Sequence, residues 1–163
     1  MSTLLKNLSE FDETGMPSAS GMRFGIVVSA WNAEVTEKLY DGAERTLFNL
    51  HCPPENINRI TVPGSYELPL GAKWIAESFK PDAVICLGCV IQGETKHFDF
   101  ICDAVSNGIM RLNLQFSIPF IFGVLTTLTK EQAIDRSGGK HGNKGVEAAV
   151  TAVKMVQLRK DLR

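Results

Sequence analysis

The 163-residue chain has no long hydrophobic run, no excess of one charge and no cysteine pattern typical of disulfides. Its longest apolar segments, residues 83–91 and 118–125, are far shorter than the ~20 residues that span a bilayer. A net charge of −1 gives no electrostatic reason to bind nucleic acid or an anionic membrane. The N-terminal residues lack the apolar core of a signal peptide. We therefore expect a cytoplasmic protein with reduced thiols that binds neither nucleic acid nor membranes.

The pattern of apolar residues predicts a flexible leader, residues 1–20, followed by one domain over residues 21–163. Within the domain, short apolar runs alternate with the amphipathic patterns typical of helices. The runs that predict strands are residues 23–29, 57–62, 83–91 and 119–125. Repeated strand–helix alternation predicts an α/β fold with parallel strands and helices on both faces of the sheet.

Polar residues ahead of the helical patterns predict where the helices begin. We expect Asn32 to cap the first helix and Ser65 to cap the second. Thr129 and Gln132 form a capping-box pair for a short helix that we expect to run through Arg136.

The third predicted strand ends abruptly in a polar turn that brings together Glu94, Thr95, Lys96 and His97. Ligands of open parallel α/β sheets bind beyond the carboxyl ends of the strands, so these residues predict a functional site. His97 begins the next helical pattern, where positive charge is disfavoured and a neutral imidazole can accept a proton. The alternative is a histidine with only a surface or capping role.

Aromatic residues follow the other predicted strands. Trp31 comes after the first strand, Tyr66 and Glu67 come after the second, and Phe122 lies in the fourth. Aromatic rings that converge beside a carboxylate indicate a flat, hydrogen-bonding ligand such as a heterocycle. Packing at the rim of the sheet is the alternative interpretation.

Cys86 and Cys89 form a C-x-x-C pattern within the third predicted strand. Side chains three residues apart on a strand point to opposite faces of the sheet, and no second cysteine pair completes a zinc site. We therefore interpret both cysteines as core residues rather than as metal ligands or a redox pair.

A glycine-rich loop, residues 137–145, contains Lys140 and Lys144 and directly follows Arg136. The loop matches neither the Walker A pattern nor the G-x-G-x-x-G pattern of nucleotide-binding proteins. Three cations around free backbone amides, just ahead of a helix, indicate an anion site. A solvated loop without a ligand is an equally good interpretation.

Several motifs in this order resemble one enzyme family. They are Trp31-Asn32, VPGSYELP at 62–69, GCVIQGETKHFD at 88–99, PFIFGVLT at 119–126, and AIDR with GNKG within 133–145. Together they identify the chain as similar to the 6,7-dimethyl-8-ribityllumazine synthase family, which catalyses the penultimate step of riboflavin biosynthesis. The resemblance extends from about residue 22 to the last helix.

The resemblance implies a flavodoxin-like three-layer α/β/α sandwich around a four-stranded parallel sheet. It also implies condensation of 5-amino-6-(D-ribitylamino)uracil with L-3,4-dihydroxy-2-butanone 4-phosphate to give the lumazine, inorganic phosphate and water. The family requires no metal and no organic cofactor.

The resemblance also implies a role for each matching residue. His97 is the catalytic histidine, Trp31 stacks on the pyrimidine and Arg136 binds the phosphate, for which a guanidinium is well suited. Phe122 and Arg136 reach the site from a neighbouring subunit, with Lys144 nearby. The implied substrate-binding residues are Trp31, Asn32, Ser65, Tyr66, Glu67, Cys89, Val90, Ile91, Glu94, Thr95, Phe122, Arg136 and Lys144.

The family assembles as pentamers, and many bacterial members pack twelve pentamers into a 60-subunit icosahedral capsid. The short loop GGKHGNKG at 138–145 resembles the capsid-forming type. The sequence leaves open whether riboflavin synthase is enclosed as a partner. It also leaves open two alternatives within the family: a flavin- or lumazine-binding module without catalysis, and a structural cage protein.

Overall fold

The computed structural model describes residues 7–162, and a four-stranded parallel sheet forms its centre. The strands lie side by side in the order β2-β1-β3-β4, and every neighbouring pair is parallel. Their bounds are β1 Phe24–Ser29, β2 Ile57–Val62, β3 Ala83–Ile91 and β4 Phe120–Thr127. The predicted parallel sheet is therefore confirmed, with β1 and β3 as its inner strands.

Helices cover both faces of the sheet, as predicted. Buried side chains of α1 and α5 pack with one face of β1 and β3, and those of α2 and α3 pack with the other face. This arrangement is a three-layer α/β/α sandwich. The helices are α1 Ala33–Asn49, α2 Leu68–Phe79, α3 His97–Gln115, α4 Lys130–Asp135 and α5 Lys144–Asp161. Short 3₁₀ turns at Pro54–Asn56 and Ser65–Glu67 precede β2 and α2.

The two faces of β3 separate the cysteines of the C-x-x-C pattern. Cys86 is buried in the α2/α3 layer and Cys89 is buried in the α1/α5 layer. Burial raises the pKa of the Cys86 thiol to about 12 and that of the Cys89 thiol to about 11. Both cysteines are buried in the core, as predicted, and they lie on opposite faces of the sheet.

Two of the three residues predicted to cap helices occupy N-cap positions, and one of these two makes a side-chain cap. The Thr129 hydroxyl accepts a hydrogen bond from the Gln132 N–H at 3.3 Å, and α4 begins there, although it ends at Asp135 rather than Arg136. Asn32 occupies the N-cap position of α1, as predicted, but its side chain makes no capping hydrogen bond. The prediction for Ser65 was wrong, because the N-cap residue of α2 is Glu67. Asn32 bonds to β3 instead, and the Ser65 hydroxyl points towards Gly88 of β3.

The glycine-rich segment forms a small antiparallel hairpin rather than a loop with free amides. Strand β5, Ser137–Gly139, pairs with β6, Gly142–Asn143. Asn143 then caps α5, because its Oδ1 accepts from the Gly145 N–H at 2.8 Å. Its Nδ2 donates to the Lys38 carbonyl at 2.8 Å and so connects the start of α5 to α1. The expectation of free backbone amides was therefore wrong for the residues that pair.

The described part of the predicted leader, residues 7–20, has no helix or strand but contacts the domain. The Leu8 N–H donates to the His141 carbonyl at 2.8 Å, and the Ala19 N–H donates to the Leu50 carbonyl at 2.7 Å. Ala19 is fully buried. Residues 1–6 of the leader lie outside the described residues, and the flexibility of the leader stays a prediction.

Among residues 7–162, no helix combines the length and the apolar character needed to cross a membrane.

Candidate active site

A cavity of about 370 Å³ opens at the carboxyl ends of β1, β2 and β3. Its walls come from the turns that follow these three strands and from the first residues of α3. The predicted site residues that line it are Trp31, Asn32, Ser65, Tyr66, Cys89, Val90, Ile91, Thr95 and His97. The structure thus brings most of the predicted site together at the edge where parallel α/β sheets bind ligands.

The turn after β1 is held to the neighbouring strand β2. The Ala30 N–H donates to the Val62 carbonyl at 2.8 Å, and the Trp31 N–H donates to the Pro63 carbonyl at 3.1 Å. These backbone bonds fix the direction of the chain, while the Trp31 side chain remains 72% exposed. An exposed indole at the mouth of a cavity offers a flat apolar surface to an aromatic ligand.

Asn32 connects the same turn to β3. Its backbone is left-handed, with φ 61° and ψ 43°, a conformation that asparagine tolerates better than most residues. From there its Nδ2 donates to the Cys89 carbonyl at 3.0 Å. The turn after β1 is therefore bonded to both neighbouring strands.

The turn after β2 carries Ser65 and Tyr66 into the cavity and is closed by Glu67. The Glu67 Oε2 accepts from the Gly64 N–H at 2.9 Å, so this carboxylate lies against the turn and does not line the cavity. Tyr66 is 59% exposed beside it.

The Ser65 hydroxyl is buried, and within residues 7–162 it is the one buried side-chain polar atom without a hydrogen-bond partner. Buried polar groups are nearly always paired, because an unpaired one has lost its water without a replacement. Ser65 lies in the cavity wall, so a bound ligand can supply the missing partner.

The end of β3 presents backbone groups to the cavity. Pairing between β1 and β3 ends at Val28 with Leu87, whereas β3 continues to Ile91. The Gln92 N–H donates to β4, at the Thr127 carbonyl, over 2.9 Å. Since successive residues of a strand direct their polar groups to alternate sides, Ile91 directs its N–H and C=O away from β4, towards the cavity.

The polar turn after β3 ends at His97, the first residue of α3, as predicted. His97 is exposed and lines the cavity, and its backbone N–H lies 3.4 Å from the Thr95 hydroxyl. Glu94 is exposed in the same turn but does not line the cavity. The imidazole is thus accessible both to a ligand in the cavity and to water.

A family model described as 6,7-dimethyl-8-ribityllumazine synthase matches residues 21–160. The chain belongs to this family. A protein of that name from Cytophaga hutchinsonii is 60% identical over 156 residues, which cover 96% of this chain and 98% of the relative. Another from Parabacteroides distasonis is 56% identical, with 97% and 99% covered. A third, from Flavobacterium johnsoniae, is 55% identical, with 98% and 84% covered.

In this member of the lumazine synthase family, three predicted site residues lie away from the cavity of their own chain. Phe122 is half-buried against the α2/α3 layer. Arg136 donates through Nη1 to the Gln132 carbonyl at 3.1 Å, and Lys144 pairs with Glu147 at 2.5 Å. The described residues that line the cavity include no lysine and no arginine.

The cavity wall also contains residues that the sequence reasoning did not select. Gly64 and Gly93 contribute backbone, and Phe98 and Ile101 contribute apolar side chains from α3. Ile101 lies four residues after His97, so both occupy one face of the helix. The helical spacing of the apolar residues marks this face of α3, but spacing alone does not distinguish a cavity wall from core packing. No group of three or more His, Cys, Asp or Glu within residues 7–162 is arranged to hold a metal ion.

Proposed function

We propose that this chain condenses 5-amino-6-(D-ribitylamino)uracil with L-3,4-dihydroxy-2-butanone 4-phosphate at the cavity beyond β3, as expected for its family. The products are 6,7-dimethyl-8-ribityllumazine, phosphate and water. The observation that carries the proposal is the convergence of Trp31, Ser65, the end of β3 and His97 on one cavity. An aromatic surface, polar backbone edges and a proton carrier are what this condensation needs.

The pyrimidine ring lies against the Trp31 indole, with its polar edge towards the backbone of Cys89, Val90 and Ile91. This placement pairs a flat heterocycle with an exposed aromatic face, and its donors and acceptors with the N–H and C=O of Ile91, which have no β1 partner. Val90 directs its backbone groups towards β4, and the Cys89 carbonyl accepts from Asn32. Ser65 supplies a hydroxyl to the same ligand.

The ribityl chain extends along the turn that contains Tyr66 and Glu67. One oxygen of Glu67 holds the Gly64 N–H, and the carboxylate has further acceptor capacity for a ribityl hydroxyl. Asn32 also belongs to the predicted substrate-binding set. It lines the cavity, and its side chain donates to the Cys89 carbonyl in β3.

His97 carries protons during the condensation, while Glu94 and Thr95 hold the phosphate-bearing substrate in the adjoining turn. The amine attacks the ketone carbon and one water leaves to give an imine, from which phosphate is eliminated. The ribityl-bearing nitrogen then attacks the carbonyl that this elimination generates, and loss of a second water closes the ring. Because the amine is already a nucleophile, orientation of the two substrates supplies much of the acceleration. General acid–base catalysis by one side chain contributes about 10²–10⁴-fold.

The phosphate is bound by a neighbouring subunit. The cavity of one chain has no cationic side chain among its lining residues, although one substrate carries a phosphate. Phe122, Arg136 and Lys144 do not line the cavity of their own chain, so a second copy would supply them, as the family resemblance implies. A guanidinium binds phosphate with two parallel hydrogen bonds.

We infer self-association as pentamers, and a 60-subunit shell of twelve pentamers as the larger assembly. Exposed apolar side chains on α3 support an interface, since Phe100 is 71% exposed and Leu114 is 82% exposed. The cytoplasmic location and the enclosure of riboflavin synthase stay predictions.

The direct experiment mixes the purified full chain with both substrates and follows lumazine absorbance together with phosphate release. We expect both products in equal amounts, at a rate well above that of the mixed substrates alone. Product formation no faster than the uncatalysed reaction would overturn the proposal. In that case tight riboflavin binding would favour a binding module, and shell formation alone would favour a cage protein.

A further inference from the structure

The turn after β1 is bonded to three elements, and Asn32 makes the bonds that involve β3 and α1. Its side chain reaches Cys89 in β3, as described above. Its carbonyl accepts from the Val35 N–H at 2.9 Å and the Thr36 N–H at 3.1 Å, which begins α1. The Thr36 hydroxyl donates to the Ser29 carbonyl at 2.8 Å, and this bond connects the first turn of α1 to the end of β1.

The Asn32 amide takes the position that a longer β1 would occupy. The β1–β3 pairing ends at Val28 with Leu87, so the Cys89 carbonyl lies beyond the last bonded pair. A backbone N–H of β1 would normally satisfy such a carbonyl. Here the chain has already turned towards α1, and a side-chain N–H replaces the missing backbone donor.

This replacement couples the two surfaces between which the pyrimidine lies. Trp31 directly precedes Asn32, and Cys89 begins the strand edge that ends at Ile91. Without the 3.0 Å bond from Asn32, the Trp31 turn remains tied to β2 by the Trp31 N–H but loses its direct bond to β3. The spacing between the indole and the strand edge would then be less well fixed.

We propose that Asn32 is a positioning residue, whose side-chain amide sets the spacing between the Trp31 indole and the backbone edge of Cys89–Ile91. Through that spacing it determines the affinity of the cavity for a flat heterocycle. The inference rests on the proposed function for the identity of the heterocycle. It assigns Asn32 an indirect role, in contrast to the direct substrate contact that the family resemblance implied.

Two substitutions separate the side-chain bond from the backbone conformation. Asn32→Gly removes the amide but keeps the left-handed conformation at low cost. Asn32→Asp keeps the size and the conformation, but it replaces the Nδ2 donor with a carboxylate oxygen that repels the Cys89 carbonyl. Asn49→Asp is the matched control, because it makes the same charge change at an exposed position on α1.

We expect the KM of the uracil substrate to rise about 3- to 10-fold in Asn32→Gly, as for loss of one hydrogen bond, and further in Asn32→Asp. The KM of the phosphate substrate and kcat should stay within about twofold, as for loss of uniform binding of one substrate. A direct acceptor role for Asn32 would reverse the order, because aspartate keeps an acceptor oxygen. An unchanged uracil KM in both variants would overturn the proposal.

The ligand-free protein provides an independent readout, measured in a Trp74→Phe background that leaves Trp31 as the sole tryptophan. We expect lower fluorescence anisotropy of Trp31 in Asn32→Gly than in the parent, with no ligand present. Unchanged anisotropy would contradict a positioning role. This measurement needs no turnover, so it tests the inference even if the parent protein makes no lumazine.

Discussion

The carboxylate of Glu67 accepts a hydrogen bond from the backbone N–H of Gly64, over 2.9 Å between Oε2 and N. The bond closes the turn after β2 and brings Ser65 and Tyr66 to the cavity wall. Glu67 therefore shapes the site from outside the cavity lining, although the family resemblance implied only a substrate-binding role. A carboxylate has enough acceptor capacity for both roles.

Substitution of Glu67 should separate these two roles. Glu67→Gln keeps an acceptor for the Gly64 N–H, so we expect unfolding stability close to that of the parent and a KM for the uracil substrate raised by a few-fold. Glu67→Ala loses the turn bond as well, with a cost of about 1 kcal/mol in the free energy of unfolding and a larger rise in KM. Urea unfolding and steady-state kinetics check the pair. Equal behaviour of the two variants would show that the turn bond has no role.

His97→Ala should lower kcat strongly while leaving the fold intact. The side chain is exposed, so its removal creates no core cavity, and we expect the same urea midpoint as the parent. We expect kcat to fall by about 10²-fold or more, as for loss of a general acid–base group. His141→Ala, at the tip of the β5–β6 hairpin, is the control. A kcat within twofold of the parent would remove His97 from the mechanism.

A mixture of two inactive variants tests whether neighbouring subunits share the site. Arg136→Ala should raise the KM of the phosphate substrate more than that of the uracil, and His97→Ala should remove the proton carrier. If one subunit supplies His97 and its neighbour supplies Arg136, co-assembled chains contain some complete sites, about a quarter at equal mixing in a head-to-tail ring. Activity should therefore reappear when the variants are co-expressed. A co-assembled mixture that stays inactive contradicts the shared site.

The sequence predicted the sheet and the cavity edge well, because both depend on patterns that are local in the chain. Apolar runs mark β2 and β3 to the residue, and the polar turn before His97 marks the start of α3. The prediction for Asn32 was incomplete, because its side chain bonds across the sheet. Asn32 is a good cap by type, but its amide reaches Cys89, which is 57 residues away in sequence. No local pattern contains such a contact.

The prediction of free backbone amides in the glycine-rich segment failed for a related reason. Glycine content indicated an open loop, whereas Gly138 and Gly142 adopt φ values of 120° and 78° that allow a tight hairpin. The cations of this segment are then paired nearby, with Lys140 at 3.0 Å from Asp135 and Lys144 at 2.5 Å from Glu147. This pairing depends on the geometry of the hairpin and of the first turn of α5, which glycine content alone does not predict.

Gly145→Ala should be one of the most destabilising substitutions outside the cavity. A Cβ at this position would lie 1.8 Å from the Leu39 carbonyl oxygen in α1, so the two helices would have to separate. We expect a loss of about 3 kcal/mol or more in the free energy of unfolding, at the upper end for overpacking. Gly21→Ala is the control, because its added Cβ meets nothing within 4 Å. Equal urea midpoints for both variants would contradict the close packing of α5 on α1.

Because of Cys86, the free energy of unfolding should fall as pH rises above about 8.5, where the thiol of the unfolded chain begins to ionise. Burial raises the pKa of Cys86 in the folded state to about 12, so between these values the unfolded state binds fewer protons and stability falls as pH rises. The fall from one such thiol approaches about 1.4 kcal/mol per pH unit. Cys52 and Cys89, whose pKa values burial raises to about 11, act in the same direction.

Cys86→Ala removes this contribution and serves as the comparison, with urea unfolding measured from pH 7 to pH 10. The cost of the small cavity that alanine leaves does not depend on pH, so below pH 8 the two proteins should differ by a constant free energy of unfolding. Above pH 9 the variant should lose stability less steeply than the parent, and the two curves should converge. Parallel curves over the whole range would mean that the Cys86 thiol ionises as readily in the folded protein as in the unfolded chain.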